Sequence, residues 1–233
     1  MNMRAFAIGT VSGVAMAVAG GTAAQAAFSL NFVGLNDGEL VNNYYDGGFG
    51  SLGSGPGPSY GVTMANAYVL NEYSENEGLL NPGPNSITFL SGSGAVMDVA
   101  AGFTTGFSFN YSAPFYAGTI TVWSGLDGTG TELASLTLAT TENGAGMTGC
   151  LGHNYCPLVS DGVTFSGTAE SVNFGGTADY VVYDNITVGS AVVMTGVPEP
   201  STWAMLIVGM ASMGGLGYYR SRKSNVQRTA SAV

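Results

Sequence analysis

Apolar and small polar residues alternate with a period of two in several short segments of this chain. Such alternation is typical of a strand that buries one face. The alternating segments are 28–32, 87–90, 107–111, 119–123, 133–138, 171–174 and 180–188. Gly, Asn, Asp and Pro separate them and favour turns. Because no sustained helical period occurs between the two ends of the chain, the sequence predicts an all-β fold, either a β-sandwich or a jelly roll.

The first 26 residues have a different pattern. Arg4 precedes an apolar run over 5–19, and Ala24 and Ala26 place small residues on either side of Gln25. A positive start, a short apolar run and a small-x-small site together are typical of a secretory signal peptide. We therefore predict a signal peptide over 1–26 that signal peptidase removes. An N-terminal anchor helix is the alternative.

A second apolar segment occupies 201–219 and contains no charged residue. About twenty apolar residues are enough to span a bilayer. Trp203 lies near its start, and the basic residues that follow, Arg220 to Lys223, are expected to stay in the cytoplasm. The sequence thus predicts one C-terminal transmembrane helix over 201–219, with the acidic domain outside and a cytoplasmic tail over 224–233.

A short motif stands directly before and within this helix. It consists of Pro198, Glu199, Pro200, Trp203 and Ala204. With the apolar helix and the basic end, it resembles the PEP-CTERM sorting signal of Gram-negative bacteria in its PEPxxWA variant, over 197–223. The resemblance implies processing by an exosortase at the inner membrane, and export to the cell surface or to an exopolysaccharide matrix. The tail after Lys223 is longer than the usual basic end. An ordinary anchor that is never cut is the alternative, because the helix physics is the same.

Charge is distributed very unevenly along the 233 residues. Charged residues make up 9% of the chain, against about 25% in an ordinary soluble domain. No Lys or Arg occurs over 28–197, which holds fourteen of the fifteen acidic residues. Nucleic-acid affinity depends on Lys and Arg, so nucleic-acid binding is excluded, as is electrostatic capture of acidic substrates. Residues 27–196 amount to one domain with enough apolar content for a core.

Several stretches of this domain resemble the extracellular domains that often precede the sorting signal. These stretches are 40–48, 60–62, 101–111, 165–174 and 183–187. The related domains are taken to be jelly rolls similar to carbohydrate-binding modules. The resemblance implies a non-catalytic extracellular domain over 27–196 that binds polysaccharide. A purely structural or adhesive surface protein without sugar specificity is the competing interpretation.

Two cysteines lie six positions apart, at Cys150 and Cys156, with His153 between them. An even number of cysteines in an exported chain favours a disulfide. A zinc site that uses Cys150, His153 and Cys156 is the alternative, but the sequence offers no evident fourth ligand.

Calcium is the metal that the acidic composition favours, because carboxylates without cationic partners are suitable ligands for this ion. The candidate ligands are Asp37 and Glu39 near the first strand, and Asp184 and Asn185 in the last. The first and last strands of a jelly roll commonly lie close together, so these residues could form one structural site. Solvated surface acids are the alternative interpretation.

Sugar binding requires aromatic side chains that stack on the faces of sugar rings, together with a few fixed polar groups. The candidate ligand-binding residues are Tyr44, Tyr45, Tyr60 and Tyr73. They lie near a Gly-rich loop over 46–58 and an acidic run over 71–78. Tyrosine is also an ordinary residue of sandwich cores, which is the alternative.

Catalysis has little support. His153 is the only histidine, and the sequence contains no GxSxG, HExxH or GxxxxGK[ST] motif. We expect no enzymatic activity. Glycoside hydrolysis needs only two carboxylates and is therefore kept as a less favoured alternative, with Glu72, Glu75 and Glu77 as its candidates.

Overall fold

A computed structural model describes residues 27–70, 85–150 and 153–194. The strands are β1 (Phe28–Leu30), β2 (Leu40–Asn42), β3 (Val62–Leu70), β4 (Ser86–Thr88), β5 (Gly94–Phe103), β6 (Gly106–Ser112), β7 (Gly118–Gly125), β8 (Thr129–Leu138), β9 (Val159–Thr164), β10 (Ala169–Gly175) and β11 (Val182–Val188). A 3-10 turn at Gly144–Gly146 is the one helical element in these ranges. None of the described helical structure is long and apolar enough to cross a membrane. The predicted signal peptide, sorting motif and transmembrane helix lie outside the described residues.

All strand pairs are antiparallel, in the order β8-β7-β10-β5-β3-β4-β11-β6-β9, with β1 added to β11 and β2 added to β3. The sheet folds over on itself, because Phe174 of β10 contacts side chains of strands that are distant in this order. Its ring centroid lies 5.9 Å from that of Phe107 on β6 and 5.0 Å from that of Tyr183 on β11. The prediction of an all-β, jelly-roll-like sandwich is confirmed.

Strand β3 passes from one layer of the sandwich to the other. Its first part pairs with β5 and its last part with β4. Between them, Asn66 has a φ of 57°, a left-handed conformation that asparagine tolerates better than most residues. The Asn66 side chain donates hydrogen bonds to the carbonyls of Ser91 and Gly94, both at 2.8 Å. These bonds fix the corner at which the two layers join.

The core between the layers is largely aromatic. Phe107, Phe109, Phe174 and Tyr183 are all fully or almost fully buried, and their rings meet in tilted and edge-to-face pairs. Such pairs stabilise a core beyond the area that they bury. The Tyr183 hydroxyl donates to the Gly175 carbonyl at 3.1 Å, so its polar atom is satisfied inside the core.

Strand β6 is buried on both faces, although its alternating sequence predicts one buried face. Ser108 and Ser112, which alternate with the core aromatics, are fully buried. The Ser108 hydroxyl donates to the Ser190 carbonyl at 3.0 Å, and the hydroxyls of Ser112 and Thr141 lie 3.2 Å apart. Chain segments from two other parts of the sequence therefore cover the outer face of this strand.

The first described residue, Ala27, lies close to Gly189, which follows the last strand. A Cβ atom built on Gly189 would lie 3.3 Å from the Cα atom of Ala27, and the Gly189 N–H donates to the Gly106 carbonyl at 3.0 Å. Gly189 follows the last residue of β11, so both ends of the domain meet at this end of the sandwich. The opposite end contains the start of β11.

Candidate functional site

Four aromatic side chains converge at the end of the sandwich where β11 begins. Phe115 lies 6.1 Å from Tyr155 and 5.8 Å from Tyr180, measured between ring centroids, and Tyr116 lies 4.8 Å from Tyr180. The three pairs are edge-to-face, with interplanar angles of 78°, 84° and 85° respectively. We refer to Phe115, Tyr116, Tyr155 and Tyr180 as the aromatic cluster.

Three of the four members of the aromatic cluster are exposed to solvent. The exposed fraction is 44% for Phe115, 51% for Tyr116 and 37% for Tyr180. Single exposed apolar side chains are common on protein surfaces, but a contiguous group of large ones marks an interaction site. Tyrosine and phenylalanine also have flat apolar faces, and the tyrosine hydroxyls can hydrogen-bond. This surface is therefore suited to a ligand that is partly apolar and rich in hydroxyl groups.

Strand pairing explains why these residues meet. Ser112, the last residue of β6, pairs with Val182, the first residue of β11. The chain after Ser112 leads to Phe115 and Tyr116, and Tyr180 stands just before Val182, so the two connections are neighbours. Tyr155 comes from a third connection, between β8 and β9.

The connection that contains Tyr155 is closed by the disulfide between Cys150 and Cys156, as predicted. Both cysteines are fully buried and pack against Met147 and Tyr155, in a small apolar cluster distinct from the main core. The bonded sulfurs are not available as zinc ligands. Among the residues that the structure describes, no group of three or more His, Cys, Asp or Glu side chains could hold a metal ion.

The tyrosines predicted as ligand platforms lie elsewhere. Tyr44 and Tyr45 are buried, with ring centroids 5.1 Å apart, and Tyr45 stacks against the partly buried Tyr60 at 6.1 Å. The Tyr45 hydroxyl accepts a 2.7 Å hydrogen bond from the Phe32 N–H, and burial raises its pKa. Tyr44 and Tyr45 are thus core residues rather than platforms, a correction that follows from their burial. Tyr73 lies outside the described residues.

Glu39 is fully buried and accepts hydrogen bonds from the loop over 46–58 and from its own turn. Its Oε1 atom accepts from the N–H groups of Leu52 at 2.8 Å and Ser54 at 3.1 Å. Its Oε2 atom accepts from the Asn36 N–H at 2.8 Å. Burial alone would raise the pKa of Glu39, but these hydrogen bonds outweigh it and lower the pKa to about 2. The carboxylate therefore holds the Gly-rich loop against β2.

The predicted calcium ligands do not converge on one site. N–H groups point at both oxygens of Glu39, where a cation would have to approach, so Glu39 does not fit a calcium site. Asp37 is exposed. Asp184 is 1% exposed, and its Oδ1 atom accepts from the Asn185 N–H at 2.6 Å, while no partner is found for Oδ2. Burial raises the pKa of Asp184 to about 7. Of the four residues, Asp184 alone has a buried oxygen without a partner.

One other pair of carboxyl groups lies on the outer face of the sandwich. Asp98 of β5 accepts a 2.8 Å hydrogen bond from the N–H of Asp127, in the β7–β8 turn, and burial raises the pKa of Asp98. The nearby Asp127 carboxylate also raises the pKa of Asp98, because two negative charges repel each other. Glycosidase carboxyls flank the scissile bond in a cleft, about 5–9 Å apart, whereas Asp98 is engaged by the backbone N–H of a surface turn. Glu72, Glu75 and Glu77 lie outside the described residues.

Of the aromatic cluster, sequence reasoning includes only Tyr116 among the aromatic residues available for stacking, and it misses Phe115, Tyr155 and Tyr180. The members of the cluster are spread over 115–180 and come together only through the fold. The sequence does contain one indication that these residues are exposed, which is their position in turn-forming segments. Phe115 and Tyr116 follow Pro114, Tyr155 precedes Cys156, and Tyr180 follows a glycine pair at 175–176. Aromatic residues in turn-forming connections are exposed more often than those within alternating strands.

No family model and no curated protein matches this chain. Among solved structures, a carbohydrate-binding module of Cellvibrio mixtus lichenase 5A, in complex with cellotriose, is similar with a TM-score of 0.34 and 8% identity, over 54% of this chain and 87% of that one. The K3 adhesin domain of Porphyromonas gingivalis Lys-gingipain has a TM-score of 0.33 and 10% identity, over 55% and 92%. The C-terminal carbohydrate-binding module of LamC from Zobellia galactanivorans has a TM-score of 0.30 and 14% identity, over 55% and 98%. At TM-scores this low the likeness carries no inference about function, which has to be argued from the chain's own residues.

Proposed function

We propose that this domain binds a neutral polysaccharide through the aromatic cluster, without catalysing its cleavage. The observation that carries the proposal is the exposure of Phe115, Tyr116 and Tyr180, which come from two separate connections and still contact one another. Keeping such side chains in water forgoes the stabilisation that their burial would give. A ligand with apolar ring faces recovers part of that free energy on binding.

The charge of the domain argues for a neutral ligand. Residues 28–197 contain no Lys or Arg and fourteen acidic residues. Anionic polysaccharides would be repelled by this surface, and no basic side chain in this range could neutralise them. Neutral sugars present C–H faces for aromatic stacking and hydroxyl groups for hydrogen bonds, so they match both properties of the cluster.

We further propose that the chain is exported by signal peptidase cleavage and exosortase processing, and is held at the cell surface or in an exopolysaccharide matrix. The PEP-CTERM-like motif and the apolar segment over 201–219 support this proposal. The position of the domain ends is consistent with it. Ala27 and Gly189 lie at the end of β11 farthest from Tyr180, so a tether beyond Gly189 would leave the aromatic cluster accessible.

Replacing Tyr116 with Ala is expected to weaken polysaccharide binding about tenfold, because central aromatic anchors commonly contribute at least 1–2 kcal/mol. The measurement is affinity electrophoresis of the full chain in mild detergent, through gels that contain laminarin, arabinoxylan or hydroxyethylcellulose. These three polysaccharides are neutral and differ in linkage.

The matched control is Phe49→Ala, which removes an equally exposed aromatic ring (52%) from the Gly-rich loop. Its migration should equal that of the wild type in every gel. Equal retardation of Tyr116→Ala and wild type would refute the aromatic cluster as the site. No retardation of the wild type in any gel would favour a structural or adhesive role without sugar specificity.

A further inference from the structure

Asp179 stands beside the aromatic cluster in an uncommon backbone conformation. It directly precedes Tyr180, is exposed, and has a φ of 67°. Non-glycine residues with positive φ are uncommon, and such positions are enriched at functional sites when the surrounding structure holds them in place.

Two hydrogen bonds from different parts of the chain hold the Asp179 backbone. Its N–H donates to the carbonyl of Phe89, in the connection after β4, at 2.8 Å. Its carbonyl accepts from the Tyr155 hydroxyl, in the disulfide loop, at 2.6 Å. Because both the donor and the acceptor of this residue are engaged, the Asp179 backbone, from which the exposed side chain extends, is held from two sides.

We propose that the Asp179 carboxylate is the polar group that orients a sugar ring on the aromatic cluster, by accepting hydrogen bonds from its hydroxyl groups. This inference rests on the proposed function. Stacking on a ring face is tolerant of sugar identity, whereas a fixed acceptor selects the arrangement of hydroxyls beside it. A carboxylate accepts from two adjacent hydroxyls at once, and hydrogen bonds to a charged acceptor are stronger than neutral ones.

Tyr155 acts in this site as a positioning residue. Its ring packs edge-to-face against Phe115, and its hydroxyl binds the Asp179 carbonyl. The disulfide between Cys150 and Cys156 closes the loop next to it, and both cysteines pack against the Tyr155 ring. The loop thereby connects the stacking surface to the orienting acid.

The test compares Asp179→Asn with Asp127→Asn in the same affinity gels. Asp127 is a close match, because it is also an exposed aspartate in a turn with positive φ (55°), but it lies in the β7–β8 turn. Asparagine tolerates this conformation, so neither variant should have a lower melting temperature than the wild type. We expect about tenfold weaker binding for Asp179→Asn, as for loss of one charge-assisted hydrogen bond, and no change for Asp127→Asn.

Three results would separate this inference from the proposed function. Wild-type affinity of Asp179→Asn, together with weakened binding of Tyr116→Ala, would overturn the role of Asp179 and leave the cluster as the site. No binding by the wild type would overturn both. Equal weakening by Asp179→Asn and Asp127→Asn would overturn the assignment too, because it would indicate an effect of net charge.

The positioning role of Tyr155 is tested by a double-mutant cycle. Tyr155→Phe removes the hydroxyl and keeps the ring, and it is expected to weaken binding several-fold in the wild-type background. In the Asp179→Asn background the same change should have little further effect, because the acid that it positions is already lost. Fully additive losses would overturn the positioning role.

Discussion

Replacing Glu39 with Gln is expected to lower the free energy of unfolding by about 3 kcal/mol at pH 7, since each hydrogen bond to a charged acceptor contributes about 1.5–3 kcal/mol. The buried carboxylate accepts from the N–H groups of Asn36, Leu52 and Ser54. A Gln side chain has one oxygen and one NH₂ group. Its NH₂ group would therefore face backbone N–H groups that can only donate, and those hydrogen bonds would be lost. The measurement is urea denaturation followed by tryptophan fluorescence.

The pH dependence of this effect has a defined sign. The folded pKa of Glu39 is about 2, below its ordinary value of 4.5. Its contribution to stability is therefore fully present above about pH 4.5 and is lost as the pH falls towards 2. The difference between wild type and Glu39→Gln should shrink over that interval. Glu132→Gln, an exposed glutamate of β8, is the control, and an equal midpoint for all three proteins at pH 7 would contradict the prediction.

Replacing Asp184 with Asn is expected to have the opposite effect and to stabilise the domain at pH 8. Burial raises the pKa of Asp184 from 3.8 to about 7, and one pKa unit corresponds to about 1.4 kcal/mol. At pH 8 the folded protein must hold a buried carboxylate with one unpartnered oxygen. Asparagine keeps the Oδ1 acceptor for the Asn185 N–H and removes the charge. We expect a gain of about 3 kcal/mol.

The sign again follows from the direction of the pKa shift. A carboxyl group whose folded pKa is raised stabilises the folded state most below its unfolded pKa, and this contribution is lost as the pH rises from about 4 to about 7. Urea denaturation at pH 4 and pH 8 should therefore show a gain for Asp184→Asn at pH 8 and little difference at pH 4. Asp46→Asn, an exposed aspartate, should show no gain at either pH. The absence of a gain at pH 8 in EDTA would contradict the prediction.

The same proteins test calcium binding, which stays a prediction. Calcium held by Asp184 would stabilise its carboxylate form and raise the wild-type midpoint at pH 8, but not that of Asp184→Asn. Equal urea midpoints of the wild type in millimolar calcium and in EDTA would contradict a stabilising calcium site in this domain.

Much of the fold could be predicted from alternation, and the exceptions have physical reasons. The segments at 107–111, 119–123, 133–138 and 171–174 all lie in strands. Strands β2, β3, β5 and β9 were not predicted. In β3 and β5, alanine and glycine weaken the contrast between the two faces. Strand β2 has only three residues, and β9 contains Asp161 and Gly162, a pair that favours a turn. In β11 the pairing register with β6 shifts between Asp184 and Thr187, and such a bulge interrupts the period that the prediction uses.

The site could not be predicted in the same way, because exposure depends on contacts between distant segments. Tyr44, Tyr45 and Tyr60 lie near one another in sequence and near a Gly-rich loop, yet they pack together and against the core. Phe115 and Tyr180 are 65 positions apart and are brought together by the pairing of β6 with β11. Patterns over a few neighbouring residues reveal neither the packing of these tyrosines nor the approach of Phe115 to Tyr180.

The placement of β11 determines how the domain would respond to mechanical load. Its first residue follows the aromatic cluster closely, and its last precedes Gly189, so a ligand and a tether would pull on opposite ends of this strand, about 20 Å apart. Backbone hydrogen bonds in an antiparallel sheet run perpendicular to the strands, and β11 is bonded to β1, β4 and β6. Force along the strand would therefore load all of these bonds at once instead of opening them one at a time. A tethered domain with bound ligand would then resist unfolding when flow pulls on it.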